Sequence, residues 1–136
     1  MATVKTIYLG DLRTEAEHLQ SGAKIITDAP VDNHGKGEAF SPTDLMAASY
    51  ASCALTIIGI AAQTHGFDIK GTEVETTKVM GENPRRIAEL IVHFTFPYNS
   101  YSEKERKIIE GAIAACPVAN TLPPETKISR TLRFKN

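Results

Sequence analysis

Cysteine is scarce in this chain, two residues in 136. A small framework stapled by several disulfides is therefore excluded. Charge of one sign is also missing: the formal net charge is -1. No basic face is implied, which disfavours nucleic-acid binding through phosphate neutralisation, and no acidic tail or membrane-surface segment is marked. The opening Met1-Ala2-Thr3-Val4-Lys5 has no charged leader ahead of an apolar stretch, so a secretory signal is not expected and a cytoplasmic, reducing compartment is. There, a cysteine pair is more often transient, catalytic or redox-sensing than structural, although a free cysteine is also a common inert core residue. The histidines, His18, His34, His65 and His93, lack metal-ligand spacing, and two cysteines far apart make no zinc pattern. The loop with Gly35 and Gly37 has no Gly-Lys-Ser/Thr ending and is no phosphate cradle. No metal and no cofactor are expected.

What is present reads as one domain over residues 1–136. Residues 45–62 run without a charge, the minimum length for a spanning helix. The run is rich in Ala and Ser, and it lacks flanking basic anchors and an aromatic belt. The better reading is a helix buried in protein, apolar all round, with no membrane association. Before it, partial alternation and turn residues predict strands over 4–9, 12–19 and 23–27, followed by a loop over 28–40. Ser41-Pro42-Thr43-Asp44 is a helix start: Ser41 can accept from the N3 amide, Pro42 suits N1, and Asp44 completes a capping box. That helix should reach His65 and stop at Gly66.

Residues 67–80 are rich in Thr, Val and Ile. Residues 87–96 alternate, with Ala88, Leu90, Val92, Phe94 and Phe96 on the side expected to face the core. Ser102-Glu103-Lys104-Glu105 repeats the capping logic, and Pro117 should end or kink the second helix at Cys116. Residues 126–134 close the chain as a strand. The order βββ-α-ββ-α-β, without strict βα alternation, argues an α+β fold.

Cys53 stands in the middle of the long helix and Cys116 at the end of the second. The segment Ser41-Pro42-Thr43-Asp44-Leu45-Met46-Ala47-Ala48-Ser49-Tyr50-Ala51-Ser52-Cys53 resembles the first cysteine motif of the OsmC/Ohr superfamily, the osmotically inducible and organic-hydroperoxide-resistance proteins. Cys116-Pro117-Val118-Ala119-Asn120-Thr121 is similar to its second. The two stand in the family's order, and the element order matches along essentially the whole chain. The resemblance implies an intertwined homodimer with redox sites at the subunit interface, working as a peroxidase on organic hydroperoxides without metal or flavin. It maps the peroxidatic cysteine to Cys53 and the resolving cysteine to Cys116. A thiolate attacking a peroxide becomes a sulfenic acid, which a second thiol condenses to a disulfide; an external dithiol must then reopen it.

A thiolate in an apolar helix needs a positive partner, because burial raises a thiol's pKa. In the family this is an arginine from the N-terminal strands, held by a carboxylate near the start of the central helix. Arg13 is the only arginine before residue 85, and it otherwise reads as a solvated charge beside Glu15 and Glu17. The family's carboxylate stands ten residues before the cysteine in Ohr proteins, at Thr43 here, and nine before it in other branches, at Asp44. Asp44 is also a good helix cap, and both roles can hold. Nine residues of helix are about 13.5 Å of rise and about half a turn of net rotation. Asp44 therefore cannot reach Cys53 of its own chain, and would have to act from the partner subunit or through Arg13. Tyr50, one turn before Cys53, walls the pocket or packs in the core. Two other readings stay open: a small-ligand-binding protein that merely retains the thiols, and a redox sensor with negligible turnover.

Overall fold

Turn chemistry sets the first three strands. Gly10, Asp11 and Leu12 all take positive φ, 90°, 53° and 63°, which Gly adopts freely and which reverses the chain between β1 (Val4–Gly10) and β2 (Arg13–His18). β3 (Lys24–Asp28) completes an antiparallel meander in the order β1-β2-β3. Residues 28–40 are largely irregular, as expected, with one 3-10 turn at Val31–Asn33 and a bridge from Thr27 to Phe40. In this computed structural model, which describes residues 1–136, the meander and the loop belong to one unit, Met1–Met46, and the rest to a second, Ala47–Asn136. The first unit leaves Ile7, Tyr8, Leu9, Ile25 and Ile26 exposed.

Helix α1 (Pro42–His65) starts as its sequence dictates. The Asp44 amide donates to Ser41 Oγ (3.0 Å) and the Ser41 amide to Asp44 Oδ2 (2.9 Å), a reciprocal cap for two orphan donors. It stops at Gly66, φ 77°, where the Phe67 amide closes onto the Ala62 carbonyl (3.0 Å). By length and composition α1 could cross a bilayer. Instead, Ala47, Tyr50, Ala54, Ile58 and Ala62 form one buried stripe, the first four of them within the core cluster of the second unit. On the other side, Met46 and Ile60 stay 44% and 56% exposed in the single chain.

The second unit sets α1 into a core with a three-stranded sheet, β4 (Glu73–Gly81), β5 (Arg86–Phe96) and β6 (Lys127–Phe134), in the order β4-β5-β6. The expected inner face of β5 is the observed one: Leu90, Val92, Phe94 and Phe96 are buried. Phe96 stacks on Phe134 at 5.0 Å and meets Tyr101 edge-on at 6.1 Å, a geometry that suits the aromatic quadrupole. β6 runs parallel to β5, and a parallel return needs a crossover. Helix α2 (Glu103–Ala114), capped by the Ser102/Glu105 box, and a short α3 (Pro117–Thr121) supply it. The sequence led us to expect one helix ending at Cys116. The chain instead breaks after Ala114, and Pro117 starts α3, because its missing N–H is no loss at the first position of a helix.

Candidate functional site: a thiol pair with a buried tyrosine

Cys53 and Cys116 come from elements far apart in sequence and meet in the second unit. Cys53 lies half-buried on α1, and Cys116 is fully buried as the N-cap of α3. Both are free thiols, and they lie near enough for Cys53 to act on the ionisation of Cys116. The helix break explains how: ending α2 at Ala114 and restarting at Pro117 leaves Cys116 extended, φ -63° and ψ 117°.

Burial pushes the Cys116 thiol up. The Ala119 amide pulls it down, the nearby Cys53 raises it again, and the Val118 amide lowers it. Those two amides open α3 and face the sulfur, without a capping bond of ordinary geometry. Cys116 is therefore poorly ionised at rest. Two nearby sulfurs cannot easily both be anions.

Tyr50 stands one turn before Cys53 and is 1% exposed, so it both packs in the core and walls the thiol pair. Burial raises its phenol above the usual value, and the charge of Arg130 pulls the other way. Both cysteines also act on the phenol electrostatically and push it further up. Sequence reasoning missed Arg130. The signal was present in β6, where Ile128, Leu132 and Phe134 alternate inward and Arg130 interrupts them at the position paired with buried Val92.

In the first unit, Arg13 is held by two carboxylates. Its Nε and Nη2 donate to Asp28 (2.7 and 2.8 Å), and Nη2 also donates to Glu38 (2.8 Å). The Glu38 amide donates to Asp28 Oδ2 (3.1 Å). The Asp28 side chain is 1% exposed, and strand register places it directly opposite Arg13. The Arg13 hydrogen bonds hold the Asp28 carboxyl below its usual range, and in turn raise the guanidinium well above its ordinary value. The expectation gave this holding role to Asp44. Within the chain the bidentate partner is Asp28, supported by Glu38, while Asp44 closes the cap of α1. Thr43, at the alternative carboxylate position, contacts Ser41 Oγ (3.3 Å). No group of three His, Cys, Asp or Glu side chains converges as a metal site.

Known structures share this arrangement of elements. A candidate osmotic stress induced and detoxification response protein from Psychrobacter arcticus is 52% identical, with 99% of this chain and 96% of that one covered at a TM-score of 0.90. The organic hydroperoxide resistance protein OsmC from Legionella pneumophila is 19% identical, with 98% of each chain covered at 0.72. An organic hydroperoxide resistance protein from Elizabethkingia anophelis, solved with thiocyanate bound, is 17% identical over 99% of this chain and 98% of its own, at 0.76. These last two bear on the fold alone. No curated protein matches the chain. The OsmC-like protein family matches across residues 35–130; that span takes in both cysteines and the capped start of α1, and the chain belongs to that family.

Proposed function

We propose that the protein is a thiol-dependent peroxidase acting on organic hydroperoxides in a cytoplasmic stress response. The observation that carries this reading is that two free thiols distant in sequence, half-buried Cys53 and buried Cys116, come near enough in the fold for one to act on the other's ionisation. The Cys53 thiolate attacks the peroxide O–O bond, which gives a sulfenic acid and, after one proton, the alcohol. Cys116 then displaces the hydroxyl, its proton leaves with that hydroxyl as water, and a disulfide forms. An external dithiol returns both thiols by exchange.

Arg13 is the group we assign to stabilising the thiolate and orienting the peroxide, held in place by Asp28 and Glu38. The protein works as a homodimer in this reading: the exposed Ile7, Tyr8, Ile25, Ile26 and Phe40, and the outer face of α1 at Met46 and Ile60, are apolar surface that a second copy would cover. Asp44 then contributes from the partner copy, since helix geometry keeps it from the sulfur of its own chain.

The test is consumption of cumene hydroperoxide with a dithiol as reductant. Catalytic consumption, abolished by Cys53→Ser, is expected. Stoichiometric oxidation without turnover would replace the enzyme by a redox sensor, and no oxidation at all would leave a small-ligand-binding protein.

A further inference from the structure

A guanidinium offers a ligand two edges. It binds a pair of oxygens side-on, through Nε and Nη2, or end-on, through Nη1 and Nη2. In Arg13 the side-on edge belongs to Asp28, with Nε donating to Oδ1 at 2.7 Å and Nη2 to Oδ2 at 2.8 Å. Those two bonds, to a carboxylate that is itself 1% exposed, already fix the plane of the guanidinium. The third bond runs from Nη2 to Glu38 Oε1 at 2.8 Å. It uses the second Nη2 hydrogen and so takes half of the end-on edge, leaving Nη1 without a carboxylate. As a positional support this bond is redundant. Its charge is not: one cation between two carboxylates makes a net negative cluster, which receives a further anion poorly.

Glu38 also differs from Asp28 in how it is held. Its side chain is 64% exposed, where an ion pair is weak. Its backbone does not depend on that pair. The Glu38 amide donates to Asp28 Oδ2 (3.1 Å), the Gly37 amide to the Ala29 carbonyl (3.2 Å) and the Asp28 amide to the Phe40 carbonyl (3.1 Å). The carboxylate can therefore swing into solvent while the loop stays closed. Of the two acids on Arg13, one is a fixture and the other is removable.

We propose that Glu38 is a gate on Arg13: its carboxylate occupies the end-on edge of the guanidinium, and an oxygen ligand of Arg13 gains that edge by displacing it. The ligand class is a small molecule with adjacent electron-rich oxygens, a peroxide or an oxyanion. This deepens the peroxidase reading and rests on its assignment of Arg13 to the substrate. Asp28 positions the guanidinium, and Glu38 sets how readily the site fills.

Two measurements on the full-length protein test it. Phenylglyoxal bridges the two terminal nitrogens of an arginine, so its rate at Arg13 reads whether that edge is open, with no peroxide or thiol involved. An exposed ion pair is worth a factor of about 1.5 to 5 in equilibrium; without it, the open edge gains about two- to sixfold in population. Glu38→Gln should speed modification of Arg13 by that factor, with exposed Arg133 as the reference in the same protein. The KM for cumene hydroperoxide should fall by the same factor at unchanged kcat, since the variant removes a competitor of binding and nothing from the transition state. Glu38→Asp keeps the charge but falls one methylene short of Nη2, and should behave as Gln does. An equal Arg13 rate in the parent and the Gln variant overturns the proposal. So does a KM that rises, which would make Glu38 a support of Arg13, or an Asp variant that matches the parent, which would leave only a distant charge effect. Glu38 is exposed, so both variants should fold. If the Arg13 rate rises as expected and no hydroperoxide is consumed, the peroxidase reading fails and the gate on Arg13 stands.

Discussion

Ile58 and Ile60 lie two residues apart on α1, yet they face different surroundings, at 0% and 56% exposure. Truncating Ile58 to Ala removes three carbons from the core around Tyr50 and the sheet. At about 0.8 kcal/mol for each buried carbon the transfer loss is about 2.4 kcal/mol, and incomplete collapse of the cavity brings the expected cost to about 3.5 kcal/mol, inside the roughly 2–5 kcal/mol range for such changes. The unfolding entropy of a 136-residue chain is about 0.29 kcal/mol/K at about 2.1 cal/mol/K per residue. The melting midpoint should therefore fall by about 12 °C. Ile60→Ala removes the same carbons from the opposite face. Were that face in water, the change would be neutral or gain a few tenths of a kcal/mol, because Ala is the better helix former. If a second copy covers it, about 1–1.5 kcal/mol per copy is lost, given that about half the side chain remains to be buried, and the midpoint becomes steeply dependent on protein concentration. Thermal melts of both variants at two concentrations a hundredfold apart make the assay. A loss under about 1 kcal/mol for Ile58→Ala would refute the packing argument. An Ile60→Ala protein with a midpoint at or above that of the parent at both concentrations would remove the second copy from this face.

Two further outcomes follow from the charges and thiols. Asp28 is held below the ordinary carboxylate range chiefly by the Arg13 hydrogen bonds; its stabilising contribution is present above the unfolded value of about pH 4 and is lost as pH falls through the lower folded value. Asp28→Asn should therefore lower stability at neutral pH and flatten its decline below about pH 4; urea midpoints that fall with acid as steeply as in the parent would contradict this. Cys116 is raised first by burial and then by Cys53, so Cys53→Ala should lower the pH at which the Cys116 thiolate absorbs, while leaving it above the ordinary thiol value. An unchanged or higher midpoint would mean the two thiols do not interact.

The parts of the fold legible in the sequence were those decided by local chemistry. The Ser41/Asp44 and Ser102/Glu105 boxes marked two helix starts because their partners lie three residues apart. Strict alternation marked the inner face of β5. Pro117 was ambiguous for a physical reason: the ring that stops one helix also suits the first position of the next, and only the structure shows the latter at α3. The two cysteines were found through the resemblance of their flanking motifs, since nothing in spacing alone brings residues 53 and 116 together. The partners of Arg13 were missed because register decides them. Asp28 reads as the start of a loop until β2 and β3 pair and place it opposite Arg13. Arg130 was missed for the opposite reason: its broken alternation was visible, but Tyr50, on whose phenol its charge acts, lies eighty residues earlier.

The account stands on Cys53 and Cys116 acting as one redox unit. Its most direct test is peptide mapping of the fully reduced protein after a single equivalent of cumene hydroperoxide, before and after adding a dithiol. The expected result is a Cys53–Cys116 disulfide formed within one chain and fully reopened by the dithiol. Two thiols that remain free, or a Cys53 that passes on to the sulfinic acid while Cys116 stays reduced, would contradict it.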